Sequence, residues 1–152
     1  MNTGYKRPES VLVVIHTPDL QILMLERAKH PGYWQSVTGS REGDESFLET
    51  AMREVHEETG LEVRPEQLRT WPGENVYTIM PEWQHRFAPG VTHNRERVFS
   101  LCLPAICDIR IAPDEHRAWR WQPCADAAAA CFSASNREAI LALGCTPHAT
   151  AP

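Results

Sequence analysis

Residues 39–61 read GSREGDESFLETAMREVHEETGL, and the middle of this stretch carries the marks of a helix with two unlike faces. Ser46 followed three residues on by Glu49 is a capping box, and Gly60 suits a left-handed C-terminal cap, so the spacing predicts a helix over Ser46–Thr59. Leu48, Ala51, Met52 and Val55 recur at the interval of one buried stripe. At about 100° per residue, Glu54 and Glu58 lie roughly 40° apart and one turn from each other. Glu57 is farther round, one turn after Arg53, and can either join the other two carboxylates or pair with that arginine. Stacked carboxylates repel by a few tenths of a kcal/mol. A cation placed between them relieves the repulsion, and oxygen ligands without cysteine or histidine favour a hard ion, magnesium or manganese. Taken by itself, Glu-x-x-Glu-Glu is more often a solvated acidic face.

Working outward, Val11–Ile15 is a continuous apolar run of strand length, Thr17-Pro18-Asp19 is a turn, and Gln21–Glu26 is a returning strand. Pro31-Gly32 marks a turn before a strand over Trp34–Thr38. Further strands are expected at Val98–Leu103 and Ala118–Gln122, and a short alanine-rich helix over Pro123–Cys131. A last helix is expected from Ser135-x-x-Glu138 with Ala139, Ile140 and Leu143, followed by a loose tail from Cys145. Strands mixed with two or three helices make one α/β (α+β) domain over residues 1–152.

A chain of 152 residues suits one core. No apolar run nears the ~20 residues needed to cross a bilayer, and the first residues lack the pattern of a signal peptide. A cytoplasmic protein with no membrane partner is expected. Five cysteines, an odd number without a Cys-x-x-Cys pair, argue against a disulfide framework or a zinc site and for reduced thiols. The seven histidines show no ligand spacing. A net charge of −5 argues against nucleic-acid binding, and an acidic protein that handles a polyphosphate needs cations to bridge like charges.

Gly39, five residues, Glu45, seven residues, then Arg53-Glu54-Val55-His56-Glu57-Glu58-Thr59-Gly60-Leu61 matches every fixed position of the Nudix box. The chain therefore resembles the Nudix hydrolases. The resemblance implies the Nudix fold, a mixed β-sheet sandwiched between helices, and metal-dependent cleavage of a phosphoanhydride in a small-molecule triphosphate. It also implies that Glu54 and Glu58 bind the metal, with Glu57 as a possible further ligand, that Arg53 orients the carboxylates, and that Gly39 lets the backbone approach the metal–phosphate cluster. Glu45 resembles a loop anchor.

Outside the box, Tyr5–Pro8, Trp34–Ser40, Arg86–Thr92, Glu115-His116 and Ser133–Arg137 resemble one branch of this family, the bacterial dihydroneopterin triphosphate pyrophosphatases. That likeness implies a third carboxylate, Glu115, as metal ligand or general base. It also implies phosphate contacts from Lys6 and Arg27, and substrate contacts from Thr38, from the segment Tyr77, Thr78, Ile79 and Met80, and from Ser133. Ser133 is equally well placed to cap a helix. Trp34, Trp119 and Trp121 read as core. Two other readings are a nucleoside triphosphate hydrolase acting on dATP-type substrates and a non-catalytic Nudix-fold binding module. The second would normally have lost box glutamates, and none is missing here.

Overall fold

The computed structural model describes residues 4–145. Its strands are β1 (Glu9–His16), β2 (Gln21–Arg27), β3 (Trp34–Gln35), β4 (Val37–Ser40), β5 (Leu68–Thr70), β6 (Asn75–Thr78), β7 (His93–Cys102) and β8 (His116–Pro123). The helices are α1 (Phe47–Thr59), α2 (Cys124–Ala130) and α3 (Ala134–Leu141).

β1 is apolar without alternation because both of its faces are covered. Val11, Val13 and Ile15 pack with Phe99, Leu101 and the α1 residues Ala51 and Val55 on one side. Val14 packs with Ile22, Met24 and the α2 and α3 residues Ala127 and Ile140 on the other. The sheet is therefore sandwiched between helices, as the Nudix resemblance implies. Along its length β1 runs parallel to β7, pairing Glu9–His16 with Arg95–Cys102. On its other edge it pairs antiparallel with β4 near its start and with β2 at His16. β8 pairs antiparallel with β2.

The expected strand over Trp34–Thr38 divides at Ser36. β3 pairs with β2 and β4 with β1, so the chain steps from one neighbour to the next. At the step, the buried Ser36 amide donates to Asn136 Oδ1 at 2.8 Å. β5, β6 and a 3-10 helix over Pro81–Arg86 were not anticipated, because these segments expose most of their side chains and are held by pairing to β7 and by a turn.

α1 has the expected capping box from Ser46 and Glu49 and the left-handed cap at Gly60, φ 76°. α3 begins two residues earlier than the Ser135 box suggested. Ser133 is its N-cap and accepts from the Asn136 amide, which lets Asn136 face the buried Ser36.

The expectation of five free cysteines is overturned at one pair. Cys124 and Cys145 are disulfide-bonded, with Cα atoms 5.5 Å apart, because α2 packs beside α3 and the chain that leaves it. Cys145 is thus packed rather than loose. The remainder of the expected tail lies outside the described residues. Trp119 and Trp121 pack on the α1 core and Trp34 on the opposite layer, all as core residues.

Candidate active site

Where β4 hands over to α1, Gly39 leaves a space that Glu54 fills. A Cβ at Gly39 would lie 2.0 Å from Glu54 Cδ. The close approach that only glycine permits is therefore to this carboxylate. Behind it Arg53 spreads its guanidinium over several acceptors. Its Nε donates to Glu45 Oε2 at 2.6 Å and Nη2 to Glu45 Oε1 at 2.9 Å. Nη1 donates to Glu54 Oε1 at 2.8 Å and to Glu57 Oε2 at 3.2 Å, and Nη2 reaches the Ser40 carbonyl at 3.0 Å. Glu45 also accepts from the Glu42 amide and the Thr50 hydroxyl. The Arg53 hydrogen bond holds its carboxyl down at about 2. The Arg53–Glu45 pair ties the loop to the helix, and Arg53 orients Glu54 while Glu57 pairs with it.

Glu58 is 1% exposed, with the Thr38 backbone amide and the Glu54 carboxyl as its polar neighbours, and among the described residues neither of its oxygens has a donor in full hydrogen-bonding geometry. Burial, and then the neighbouring Glu54, push this carboxyl well above the usual range. His116 Nε2 lies 3.7 Å from Glu58 Oε1. Ligand atoms of Glu58, Glu115 and His116 all fall within 4.8 Å of one another. The pairing of β2 with β8 places the last two there: Arg27 is opposite His116, and the Ala28 amide donates to the Glu115 carbonyl at 2.9 Å. Burial, with Arg27 second, pulls His116 down to about 4, so the imidazole is neutral, and its Nε2 also meets the Gln35 side-chain amide at 3.5 Å.

A buried carboxylate, a second carboxylate and a neutral imidazole within 4.8 Å of one another offer ligands to a divalent cation, the carboxylate oxygens being those that a hard ion prefers. The residues present fit such an ion. Glu54, Glu58 and Glu115 with the Gly39 backbone were the expected holders. His116 is an addition, missed because its partners come from other elements.

One cleft of about 860 Å³ joins these residues. Lys6, Arg27, Thr38, Gly39, Glu54, Glu57, Glu58, Tyr77, Ile79, Met80, Glu115 and Ser133 all line it. Two predicted site residues are not brought into it. Arg53 sits behind the carboxylates, and Thr78 lies on the surface beside His93. Arg86, unremarked as a site residue, joins Lys6 and Arg27 in a cationic group. Burial lowers the pKa of both Lys6 and Arg27, followed by the charge of Arg86. The same two side chains also feel Glu54, Glu58 and Glu115, which places the cations beside the carboxylates. Trp83, Phe132, Asn94 and Glu96 also line the cleft. They lie in segments with no motif or apolar periodicity, so no local signal marked them.

The NUDIX domain model matches residues 6–143. The chain belongs to the Nudix family. It is 45% identical to the dihydroneopterin triphosphate diphosphatase of Escherichia coli K12, over 90% of this chain and 91% of that one. It is 37% identical to the Haemophilus influenzae protein of the same name, over 90% and 87%. The structure of the E. coli dihydroneopterin triphosphate pyrophosphohydrolase superposes with a TM-score of 0.84, covering 91% of this chain and 95% of the other. Within this Nudix domain, no described helix is long and apolar enough to cross a membrane.

Proposed function

We propose that this Nudix domain hydrolyses dihydroneopterin triphosphate to the monophosphate and pyrophosphate, with magnesium as the resident cation and manganese as a substitute. The observation that carries the reading is the single cleft that joins the Glu54–Glu58–Glu115 carboxylates and the Lys6–Arg27–Arg86 cations to an aromatic-walled recess. The name borne by the 45% and 37% identical relatives supports the same substrate.

A bound divalent cation supplies neutralisation of the phosphate charge that otherwise repels the incoming water. Lys6, Arg27 and Arg86 donate hydrogen bonds to phosphate oxygens and hold the chain of phosphates over the carboxylates. Glu115 is exposed at the edge of the group and takes the proton from the attacking water. The water oxygen bonds to phosphorus, the bridging P–O bond between the α- and β-phosphates breaks, and the electron pair leaves on the departing phosphate. Arg53 holds Glu54 in place without touching substrate.

The assay is pyrophosphate release from dihydroneopterin triphosphate and dATP, side by side at equal magnesium and pH. The expected specificity constant is at least about tenfold higher for the pterin, about 1.4 kcal/mol. If dATP wins, the phosphate chemistry stands and the substrate does not. Hydrolysis of neither marks a binding module.

A further inference from the structure

Besides Glu54 and Glu58, the cleft holds a third buried carboxylate, Glu96, that the phosphate chemistry leaves unused. Asn94 and Glu96 are two residues apart on β7, so both face the cleft side of the sheet, while Arg95 between them pairs with Glu74 on the surface. Glu96 is 4% exposed and Asn94 3%. The Asn94 amide donates to Ser10 Oγ at 2.7 Å and Tyr77 Oη at 3.0 Å. Its Oδ1 is buried and, among the described residues, without a donor. Glu96 Oε1 accepts from Asn75 Nδ2 at 3.2 Å, with the Ser135 hydroxyl beside the carboxyl. No described lysine or arginine pairs with it.

A buried carboxylate without a cation is costly, and burial raises its pKa. Two acceptors with spare capacity, Glu96 and Asn94 Oδ1, therefore line a recess whose other lining includes Trp83, Phe132 and Ile79. The sheet sets the reach. Glu96 is opposite Ser10 on β1, and Ser10 is opposite Ser40 on β4, next to Gly39 and the Glu54 carboxyl. Two strand spacings are roughly 10 Å, about the distance from the far edge of a fused ring, through a short linker, to a phosphate.

We propose that Glu96, supported by Asn94, reads the amino-lactam edge of a 2-amino-4-oxo fused pyrimidine, the edge that pterin and guanine share. Its carboxylate accepts one hydrogen bond from the ring N–H and one from the exocyclic amine. Adenine offers a donor beside an acceptor there, so one carboxylate oxygen faces a lone pair, and a mismatched polar edge is rejected strongly. This inference rests on the triphosphate hydrolysis proposed above and adds what selects the ring.

The test uses the magnesium-loaded wild type and Glu96→Gln with dihydroneopterin triphosphate, dGTP and dATP. Alongside it, binding of pterin and of lumazine, which has a carbonyl in place of the 2-amino group, is followed by fluorescence without any phosphate. In Glu96→Gln the pterin-to-dATP ratio of kcat/KM is expected to fall at least about tenfold. A parallel fall for dGTP shows the shared edge being read, and a fall confined to the pterin overturns the shared-edge assignment. An unchanged ratio, whether both rates fall or neither does, overturns the assignment. Wild-type binding of pterin at least about tenfold tighter than lumazine is expected and does not depend on the variant folding; equal binding overturns the proposal. Should the wild type hydrolyse no triphosphate, the proposed function fails alone, and the pterin–lumazine preference, lost in Glu96→Gln if that side chain reads the ring and kept if it does not, still decides the role of Glu96.

Discussion

Glu58 is a buried carboxyl with little to offset its charge. The Thr38 backbone amide lowers its pKa, and a second carboxylate and a neutral imidazole lie beside it. Glu58→Gln removes the charge and keeps the shape. Activity should fall about a hundredfold or more, the scale of losing one key electrostatic group. The cation-free melting temperature should stay level or rise, because a buried amide costs less than a buried charge. Near-normal turnover would remove Glu58 from the cation site, and a collapse of cation-free stability would make it a structural residue. At this scale the reading of α1 was sound: Glu54 and Glu58 share a face, and Glu57 takes the Arg53 alternative. What the helix could not reveal is that Gly39 is shaped to Glu54 itself.

α1 is anchored by more than its cap. Glu45 in the preceding loop receives two Arg53 hydrogen bonds, and these hold its carboxyl at about 2 against an ordinary 4.5. A carboxyl depressed in the folded state contributes stability that is present above about pH 4.5 and is lost as pH falls towards about 2. Glu45→Gln should therefore cost about 1–2 kcal/mol at neutral pH, a figure reduced for the partial exposure of the pair. The gap from wild type should close over that acid range. Urea denaturation at a series of pH values measures it, and a gap that stays constant down to the acid end would assign the loss to packing instead. α3 carries a different lesson. Both Ser133 and Ser135 satisfied a capping pattern locally, and the choice fell to Ser133 because Asn136 has a buried partner on the far side of the chain, Ser36.

At the scale of the molecule, the candidate cation site is assembled from α1, the loop before β8 and β8 itself, so an ion bound there would link elements distant in sequence. A ligand that binds only the folded state stabilises it by about 2.7 kcal/mol at a hundredfold excess over its dissociation constant. Saturating magnesium should accordingly raise the melting temperature by about 5–10 °C, and a chelator should reverse the gain. Glu58→Gln should show little of it. A wild-type melting temperature indifferent to magnesium would mean that the protein alone does not hold the ion. The disulfide between Cys124 and Cys145 is a similar long-range link, between α2 and the chain beyond α3.

The sequence by itself determined the helix with its two caps, the carboxylate face, the buried central strand and the family, because each is written in local spacing: a 3.6-residue period, a capping pair, an uninterrupted apolar run and a 23-position motif. The tertiary structure alone decided that His116 joins Glu58 and Glu115, that Arg86 joins Lys6 and Arg27, and that Asn94 and Glu96 face the cleft. It also decided that Thr78 does not, and that two of five cysteines are paired. These depend on which strands lie side by side, as β2 with β8 and β7 with β1, and strand register is a long-range property that no local period encodes.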